Sequence, residues 1–115
     1  MINKTKAGWA WLLQTISGAV LVLLLGLHWV AQHYLAAGGL RNYTEVVEYL
    51  RQPAVLALEM AFLAVVTSHA LLGVRSIALD LNPHPVILKT LNVFLFFFGL
   101  ITVVYGMQLV WQILQ

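Results

Sequence analysis

The sequence contains no cysteine and very little charge. Without cysteine, the chain alone forms no disulfide, no thiolate nucleophile and no iron–sulfur cluster. Only 9% of its 115 residues are charged, whereas a soluble domain carries roughly 25%. The Lys and Arg residues are scattered along the chain, which excludes a nucleic-acid-binding surface. A chain of this kind has too little polar surface to remain in water.

Apolar residues fill most of the chain and lie in three long blocks. They make up 62% of the sequence, and the mean hydropathy is +0.91. The blocks cover about residues 9–37, 54–79 and 86–114, and a spanning helix needs about 20 residues. We therefore predict an all-α membrane protein in which residues 1–115 form one domain with three transmembrane helices.

The first block also has features of a secretory signal peptide, because Lys4 and Lys6 precede it and small residues end it. Its apolar run, from Ala7 to Ala37, is much longer than the roughly 7–15 residues of a signal-peptide core. We therefore expect a retained helix.

The two connections between the blocks differ in kind. In the first, Gly38-Gly39 is expected to end the first helix, and Asn42 followed by Glu45 has the spacing of a capping box. We therefore expect a short interfacial helix there. The second connection, residues 80–85, contains two prolines and predicts a tight turn.

The distribution of Lys and Arg predicts the orientation of the helices. One side of the membrane holds four of them and the other holds two: Lys4, Lys6, Arg75 and Lys89 against Arg41 and Arg51. Cytoplasmic loops carry an excess of basic residues. The N-terminus and the 80–85 turn are therefore expected in the cytoplasm, with the chain crossing the inner (cytoplasmic) membrane several times.

Ionisable side chains inside a spanning helix are functional candidates because they are expensive to bury there. His28, Glu59 and His69 lie within the blocks, whereas Arg75 lies nearer an end and could snorkel to the surface. Each histidine either hydrogen-bonds a neighbouring helix or binds a haem iron, for which neutral imidazole is a common ligand. Glu59 either relays protons or makes a polar contact.

Both histidines lie on helical stripes that we expect to face protein rather than lipid. The stripe on the first helix consists of Gln14, Ser17, Leu21, Leu24 and His28. The stripe on the second helix consists of Phe62, Val65, His69, Gly73, Ser76 and Asp80. Because Gly73 is one turn from His69 and has no side chain, we expect a flat ligand to approach the helix there.

The depths of the two histidines argue against one shared iron. We measure both depths from the cytoplasmic side, at about 1.5 Å per residue. His28 lies about 28 Å in from Trp9, and His69 lies about 16 Å in from Asp80. Two axial nitrogens on one iron are only about 4 Å apart. If both histidines are ligands, they therefore serve different haems, and another chain supplies the second ligand of each haem.

One segment of the second helix carries a specific resemblance. Residues 68–80, SHALLGVRSIALD, resemble the signature of succinate dehydrogenase cytochrome b anchor subunits, in which a histidine is followed by glycine, arginine and aspartate at this spacing. Ile16-Ser17-Gly18 followed by His28 resembles the first helix of the small three-helix type in the two-haem branch of that family.

The resemblance implies roles for five residues. His69 would be an axial ligand of the haem nearer the cytoplasm, and His28 an axial ligand of the outer haem. Ser17 would lie at a cofactor site, Arg75 would face a haem propionate, and Asp80 would lie near the quinone site. The position after Asp80 is often tyrosine in single-haem relatives but is Leu81 here, which leaves the residues that hold the quinone open.

The resemblance also implies partners and a function. The chain would be a subunit of succinate dehydrogenase (succinate:quinone oxidoreductase) without catalytic activity of its own. It would anchor the flavoprotein and iron–sulfur subunits, pair with a second membrane anchor subunit, and pass electrons to membrane quinone through two b-type haems. The alternatives are a membrane subunit of a fumarate reductase, a haem-free proton-relay or transporter component, and a purely structural membrane partner.

The predicted orientation can be tested directly, because the chain has no cysteine of its own. We expect the single variant Asn82→Cys to react with a membrane-impermeant maleimide only when the cytoplasmic face is accessible. A cysteine placed in the 38–53 connection is the control and should react only from outside. Labelling of Asn82→Cys from outside would reverse the assignment.

Overall fold

The computed structural model describes residues 4–36 and 38–115, which form four helices and no strands. The helices are α1 (Lys4–His33), α2 (Tyr43–Arg51), α3 (Pro53–Asp80) and α4 (Pro85–Leu114). In the described part of the chain, α1, α3 and α4 are the helices long and apolar enough to cross a membrane. The predicted fold class, an all-α membrane protein with three spanning helices, is therefore confirmed, while the one-domain assignment of residues 1–115 stays a prediction.

The first helix ends at His33, four residues earlier than the predicted boundary. The backbone amides of Tyr34 and Leu35 both donate to the carbonyl of Val30, at 2.9 and 3.2 Å, and these bonds close the last turn. The predicted glycines lie beyond this end, and Gly38 and Gly39 turn the chain at φ values of 85° and 84°. Ala37, the predicted last residue of the helix, lies outside the described residues.

The short helix predicted in the first connection is present as α2, and its position at the membrane interface stays a prediction. Asn42 caps it: the backbone amide of Glu45 donates to the Asn42 side chain, and the Glu45 carboxylate accepts from the Asn42 amide. Gln52 is the residue between α2 and α3, and Pro53 begins α3, where its missing amide hydrogen is not needed. The chain therefore turns from α2 into α3 within one residue.

The second connection is the tight turn that the two prolines predict. After α3 ends at Asp80, Asn82 adopts a positive φ of 49°. His84 caps α4 by accepting a hydrogen bond from the Val86 amide at 3.4 Å, and Pro85 is the first helical residue. Helices α3 and α4 therefore form an antiparallel hairpin.

Helix α3 is the centre of the bundle, with α1 packed on one side of it and α4 on the other. Within the described residues α1 and α4 do not pack on each other, and α2 covers the adjoining ends of α3 and α4. The close approach of α3 and α4 depends on two glycines of α4, because a Cβ at Gly99 would collide with the Leu71 side chain and one at Gly106 would lie 2.6 Å from Leu63 Cδ2.

The remaining helix surface is apolar and exposed. Among the described residues, the buried hydrophobic ones are Ala36, Tyr49, Leu50 and Leu95. An aqueous protein of this length would bury far more of its apolar side chains. In a membrane protein, lipid and neighbouring chains cover such a surface.

Valine in place of Gly99 or Gly106 should loosen the α3–α4 hairpin. Each change forces a leucine of α3 out of its position, and overpacking of this kind costs about 1–3 kcal/mol. The control is Gly26→Val, because a Cβ at Gly26 meets nothing within 4 Å. Unfolding by SDS titration of the full chain in detergent, followed by circular dichroism, measures the effect. An equal loss of stability in all three variants would show that the hairpin does not depend on these contacts.

Candidate functional site

The candidate site lies along the contact between α1 and α3. The five residues of the predicted α1 stripe, namely Gln14, Ser17, Leu21, Leu24 and His28, are all half-buried, and most of their helical neighbours are exposed. Three of the five contact α3 through polar atoms. The prediction that this stripe faces protein is therefore confirmed.

His69 of α3 is held by a hydroxyl group of α1. Its Nδ1 lies 2.9 Å from Ser17 Oγ, and Ser17 Oγ also lies 3.0 Å from the Gln14 carbonyl oxygen. A serine hydroxyl has one hydrogen. When that hydrogen is donated to the Gln14 carbonyl, Ser17 Oγ accepts a hydrogen bond from the Nδ1–H tautomer of His69. On the same side, a Cβ at Gly18 would lie 3.2 Å from His69 Cε1, so the small residue lets the ring lie against α1.

His28 of α1 is held by a carboxylate of α3. Its Nδ1 lies 2.8 Å from Glu59 Oε1 and 2.9 Å from Glu59 Oε2. The ring of Phe62, one turn further along α3, stacks on the imidazole at a centroid distance of 5.2 Å and an angle of 27°. The Tyr49 hydroxyl of α2 donates to Glu59 Oε1 at 3.3 Å. The alternative in which Glu59 makes a polar contact is therefore present in the structure.

The two histidines lie at different depths in the bundle. Ser17, opposite His69, precedes His28 by eleven residues on α1, and Glu59, opposite His28, precedes His69 by ten residues on α3. At 1.5 Å per residue the two levels are about 15 Å apart. Two nitrogens that share one iron are about 4 Å apart. The two imidazoles are therefore too far apart to bind one iron, and whether either of them binds an iron stays a prediction.

The Gln14 side chain of α1 lies against Gly73, where a flat ligand was expected to approach α3. A Cβ at Gly73 would lie 3.3 Å from Nε2 of Gln14, so the glycine lets the amide side chain of α1 approach α3. The Gln14 amide oxygen is buried and has no hydrogen-bond partner among the described residues. Gly73 therefore lets the Gln14 side chain lie against α3, and the expected approach of a flat ligand over this position stays a prediction.

Arg75 points toward α4 rather than being free at the surface. Its Nε donates to Asn92 Oδ1 at 2.9 Å, and both residues are half-buried. Among the described residues, no hydrogen bond involves the two terminal nitrogens of the guanidinium group. Asp80, the last residue of α3, is exposed at the same end of the bundle. A carboxylate there is repelled by the partial negative charge at the C-terminal end of the helix, so Asp80 does not stabilise α3.

Arg41 and Tyr49 hold α2 against the part of the bundle that contains His28 and Glu59. Arg41 Nη2 donates to the Ala31 carbonyl near the end of α1 at 3.1 Å, and the guanidinium carbon lies 4.2 Å from the centroid of the Tyr49 ring. Burial raises the pKa of the Tyr49 hydroxyl, and the negative charge of Glu59 raises it further. Tyr49 is therefore a hydrogen-bond donor to Glu59 throughout the physiological pH range.

An apolar cleft of about 440 Å³ opens beside His28. Its walls come from all four helices: His28 of α1, Tyr49 and Leu50 of α2, Phe62 of α3, and Gly106 of α4 are among the lining residues. The cleft is therefore the space left between α1 and α4 on one face of α3, with α2 over its end.

The other two histidines do not join the site. His33 is exposed at the end of α1 beside the Trp29 ring, and His84 is exposed at the start of α4. Across the described ranges, no three His, Cys, Asp or Glu side chains come together as an ordinary metal site does. The chain therefore offers single histidines rather than a complete coordination shell.

Three contributing residues were not predicted as part of the site: Asn92, Arg41 and Tyr49. Asn92 could have been found, because Arg75 and Asn92 lie at similar distances from the turn of the α3–α4 hairpin. Arg41 and Tyr49 carried no such signal, since the path of the chain through residues 38–42 decides where α2 lies.

The fold and the site define a helical membrane protein whose spanning helices carry two histidines at separate depths. The chain belongs to the succinate dehydrogenase/fumarate reductase transmembrane subunit family, whose model matches residues 1–106. The resemblance of residues 68–80 to this family is thus confirmed.

The chain is similar to the succinate dehydrogenase hydrophobic membrane anchor subunit of Archaeoglobus fulgidus, with 42% identity over 73 residues. The matched region is 64% of this chain and 62% of that protein, so the chain spans less than two thirds of its relative. No solved structure matches the chain.

Replacement of Arg41 should release α2 from the end of α1. A hydrogen bond from a charged donor is worth about 1.5–3 kcal/mol, and about 1.4 kcal/mol is a tenfold change in an equilibrium constant. We expect Arg41→Ala to speed amide hydrogen exchange in α2 about tenfold. The matched control is Arg51→Ala, which removes an exposed arginine at the end of α2. Equal exchange rates in the two variants would show that Arg41 does not hold α2.

Proposed function

We propose that this chain is a haem-binding electron-transfer subunit that anchors a succinate:quinone oxidoreductase in the membrane. The observation that carries the proposal is the way in which the two histidines are bonded. Each imidazole engages a neighbouring helix through Nδ1, and neither Nε2 has a hydrogen-bond partner among the described residues.

The hydrogen-bond partners favour one tautomer for both rings. A carboxylate accepts hydrogen bonds, and the Ser17 hydroxyl has given its hydrogen to the Gln14 carbonyl. Both rings therefore carry their proton on Nδ1 and present the lone pair of Nε2. Histidines that bind metal ions usually donate the other ring N–H to a carboxylate, carbonyl or similar acceptor, which fixes the tautomer and the ring orientation.

The donor set suits a haem rather than a free metal ion. A haem iron already has four porphyrin nitrogens, so it needs only axial ligands from protein. One histidine at each level supplies one ligand, and a second membrane subunit would supply the other. The apolar cleft beside His28 gives the dry surroundings that a porphyrin needs.

Two haems so held would carry single electrons between the membrane faces. The two histidines would set the depths of the two haems. His69 lies at the depth of Ser17, and His28 lies about 15 Å away at the depth of Glu59. Together these levels cover about half of a hydrocarbon core of about 30 Å. The arrangement supports transfer across the bilayer more than a single step at one surface.

Arg75 and Asp80 complete the proposed inner end. Asn92 fixes the Arg75 guanidinium through Nε and leaves its terminal nitrogens available, the geometry needed to bind a propionate carboxylate. Asp80 is exposed where α3 ends and would lie near the quinone and the iron–sulfur subunit. The proposed complex thus contains a second anchor subunit, an iron–sulfur subunit and a flavoprotein, in the cytoplasmic membrane with the N-terminus inside.

One observation favours a second candidate function, a haem-free proton relay. Tyr49, Glu59 and His28 form an unbroken hydrogen-bonded chain from α2 into the spanning region. Ser17 and His69 form no such chain with an outer residue in the described structure. The visible spectrum of the purified complex separates the two functions, because a relay of this kind binds no pigment.

Replacing either histidine should alter one haem and leave the other. The purified wild-type complex should contain two haems for each flavin, with two low-spin signals in the electron paramagnetic resonance spectrum. His69→Ala should abolish or shift one signal, and His28→Ala the other, because each variant removes an axial ligand of one haem. The altered haem can still be bound, since burial of the porphyrin and the remaining axial bond favour binding. His33→Ala is the control, because it removes another histidine of α1 that lies outside the site. One haem per flavin, or a His28→Ala complex identical to the wild type, would contradict the two-haem assignment.

A further inference from the structure

The two histidines are held alike in geometry but by groups of different charge. His69 Nδ1 lies 2.9 Å from the neutral hydroxyl of Ser17, whereas His28 Nδ1 lies 2.8 Å from the carboxylate of Glu59. We propose that Glu59 is a positioning residue that lowers the reduction potential of the haem held by His28. This inference rests on the proposed function and goes beyond it, since haem binding alone assigns no role to Glu59.

The Glu59 carboxylate is directed almost entirely at the imidazole. Both of its oxygens lie within 2.9 Å of His28 Nδ1, and its side chain is only 14% exposed. Tyr49 donates to one of the same oxygens. In the described part of the chain, no Lys or Arg nitrogen lies within salt-bridge distance of Glu59. No Lys or Arg side chain of the described residues therefore neutralises its negative charge.

A carboxylate in this position changes the imidazole as a ligand. It draws the Nδ1 proton toward itself, which increases electron density on the ring and makes Nε2 a stronger donor. A stronger donor favours ferric over ferrous iron. The charge also opposes the arrival of an electron nearby, and the opposition is large because the membrane interior screens it poorly. Both effects lower the reduction potential.

Ser17 cannot act on His69 in the same way. Its hydroxyl is neutral, and its hydrogen is already donated to the Gln14 carbonyl at 3.0 Å. Ser17 therefore fixes the tautomer and the angle of the His69 ring without bringing a charge to it. The chain thus contains an internal comparison, because two histidines of one bundle differ in the charge of their Nδ1 partner.

The test is a redox titration of the intact complex with Glu59→Gln. Glutamine keeps the size of the side chain and an oxygen that accepts from Nδ1–H, but it removes the charge. The potential of one haem, the one that His28→Ala alters, should rise, while the other haem keeps its wild-type potential. Glu48→Gln is the matched control, because it removes an exposed carboxylate from α2 without a contact to either histidine.

Two further variants define the readout. Ser17→Ala should leave the potential of the His28 haem unchanged, which separates the two levels. Glu59→Asp keeps the charge but lengthens the contact by about one methylene group, so it should raise the same potential less than glutamine does. If the glutamine variant does not assemble, Glu59→Ala decides the question, because it also removes the charge, and an alanine complex with the wild-type potential would then overturn the proposal.

The outcomes separate this inference from the proposed function. Two bound haems with both potentials unmoved in Glu59→Gln would overturn the inference and leave the proposed function standing. Equal rises at both haems would overturn it as well, because a general field effect would then explain them. A wild-type complex without haem would overturn the proposed function and this inference with it.

Discussion

The membrane interior offers no water to the polar groups of the chain, and this constraint determines which parts of the chain must meet. The backbone satisfies it by forming helices. Four polar side chains inside α1 and α3 satisfy it by bonding across the contact between the two helices, at Ser17–His69 and at His28–Glu59. A slip of one helix against the other by one turn would separate both pairs at once. The two pairs therefore fix how far α1 lies along α3.

The same constraint explains why the bundle is thin. Where polar groups are absent, apolar side chains gain little by leaving lipid for the surface of another helix. Contact between α3 and α4 accordingly depends on shape, with Gly99 and Gly106 receiving leucines of α3. Contact between α1 and α3 depends on hydrogen bonds. Helices α1 and α4 offer each other neither, and the cleft beside His28 lies between them.

The sequence was sufficient for most of the fold and for part of the site. Block length predicted three spanning helices, and the capping box at Asn42 predicted α2, because both features are local. The stripe from Gln14 to His28 was found from its spacing alone. The end of α1 was missed because the apolar block continues through Tyr34, Leu35 and Ala36, beyond the last turn that the Val30 carbonyl closes. The contact between Gly73 and Gln14 was not predicted, because a glycine accommodates a ligand or a neighbouring side chain equally well and the sequence does not show which one lies there.

The contact between His28 and Glu59 was also out of reach of spacing arguments. Each residue was recognised as a costly group inside a helix, and their partnership follows only once α1 and α3 are placed in antiparallel register. The register set by Ser17 and His69 then leaves little choice at the other level, because Glu59 precedes His69 by about the number of residues that separates Ser17 from His28. One hydroxyl–imidazole pair thus aligns a carboxylate with the second imidazole. A side chain that looks isolated in the sequence acquires its chemistry from a contact about 15 Å away along the helix.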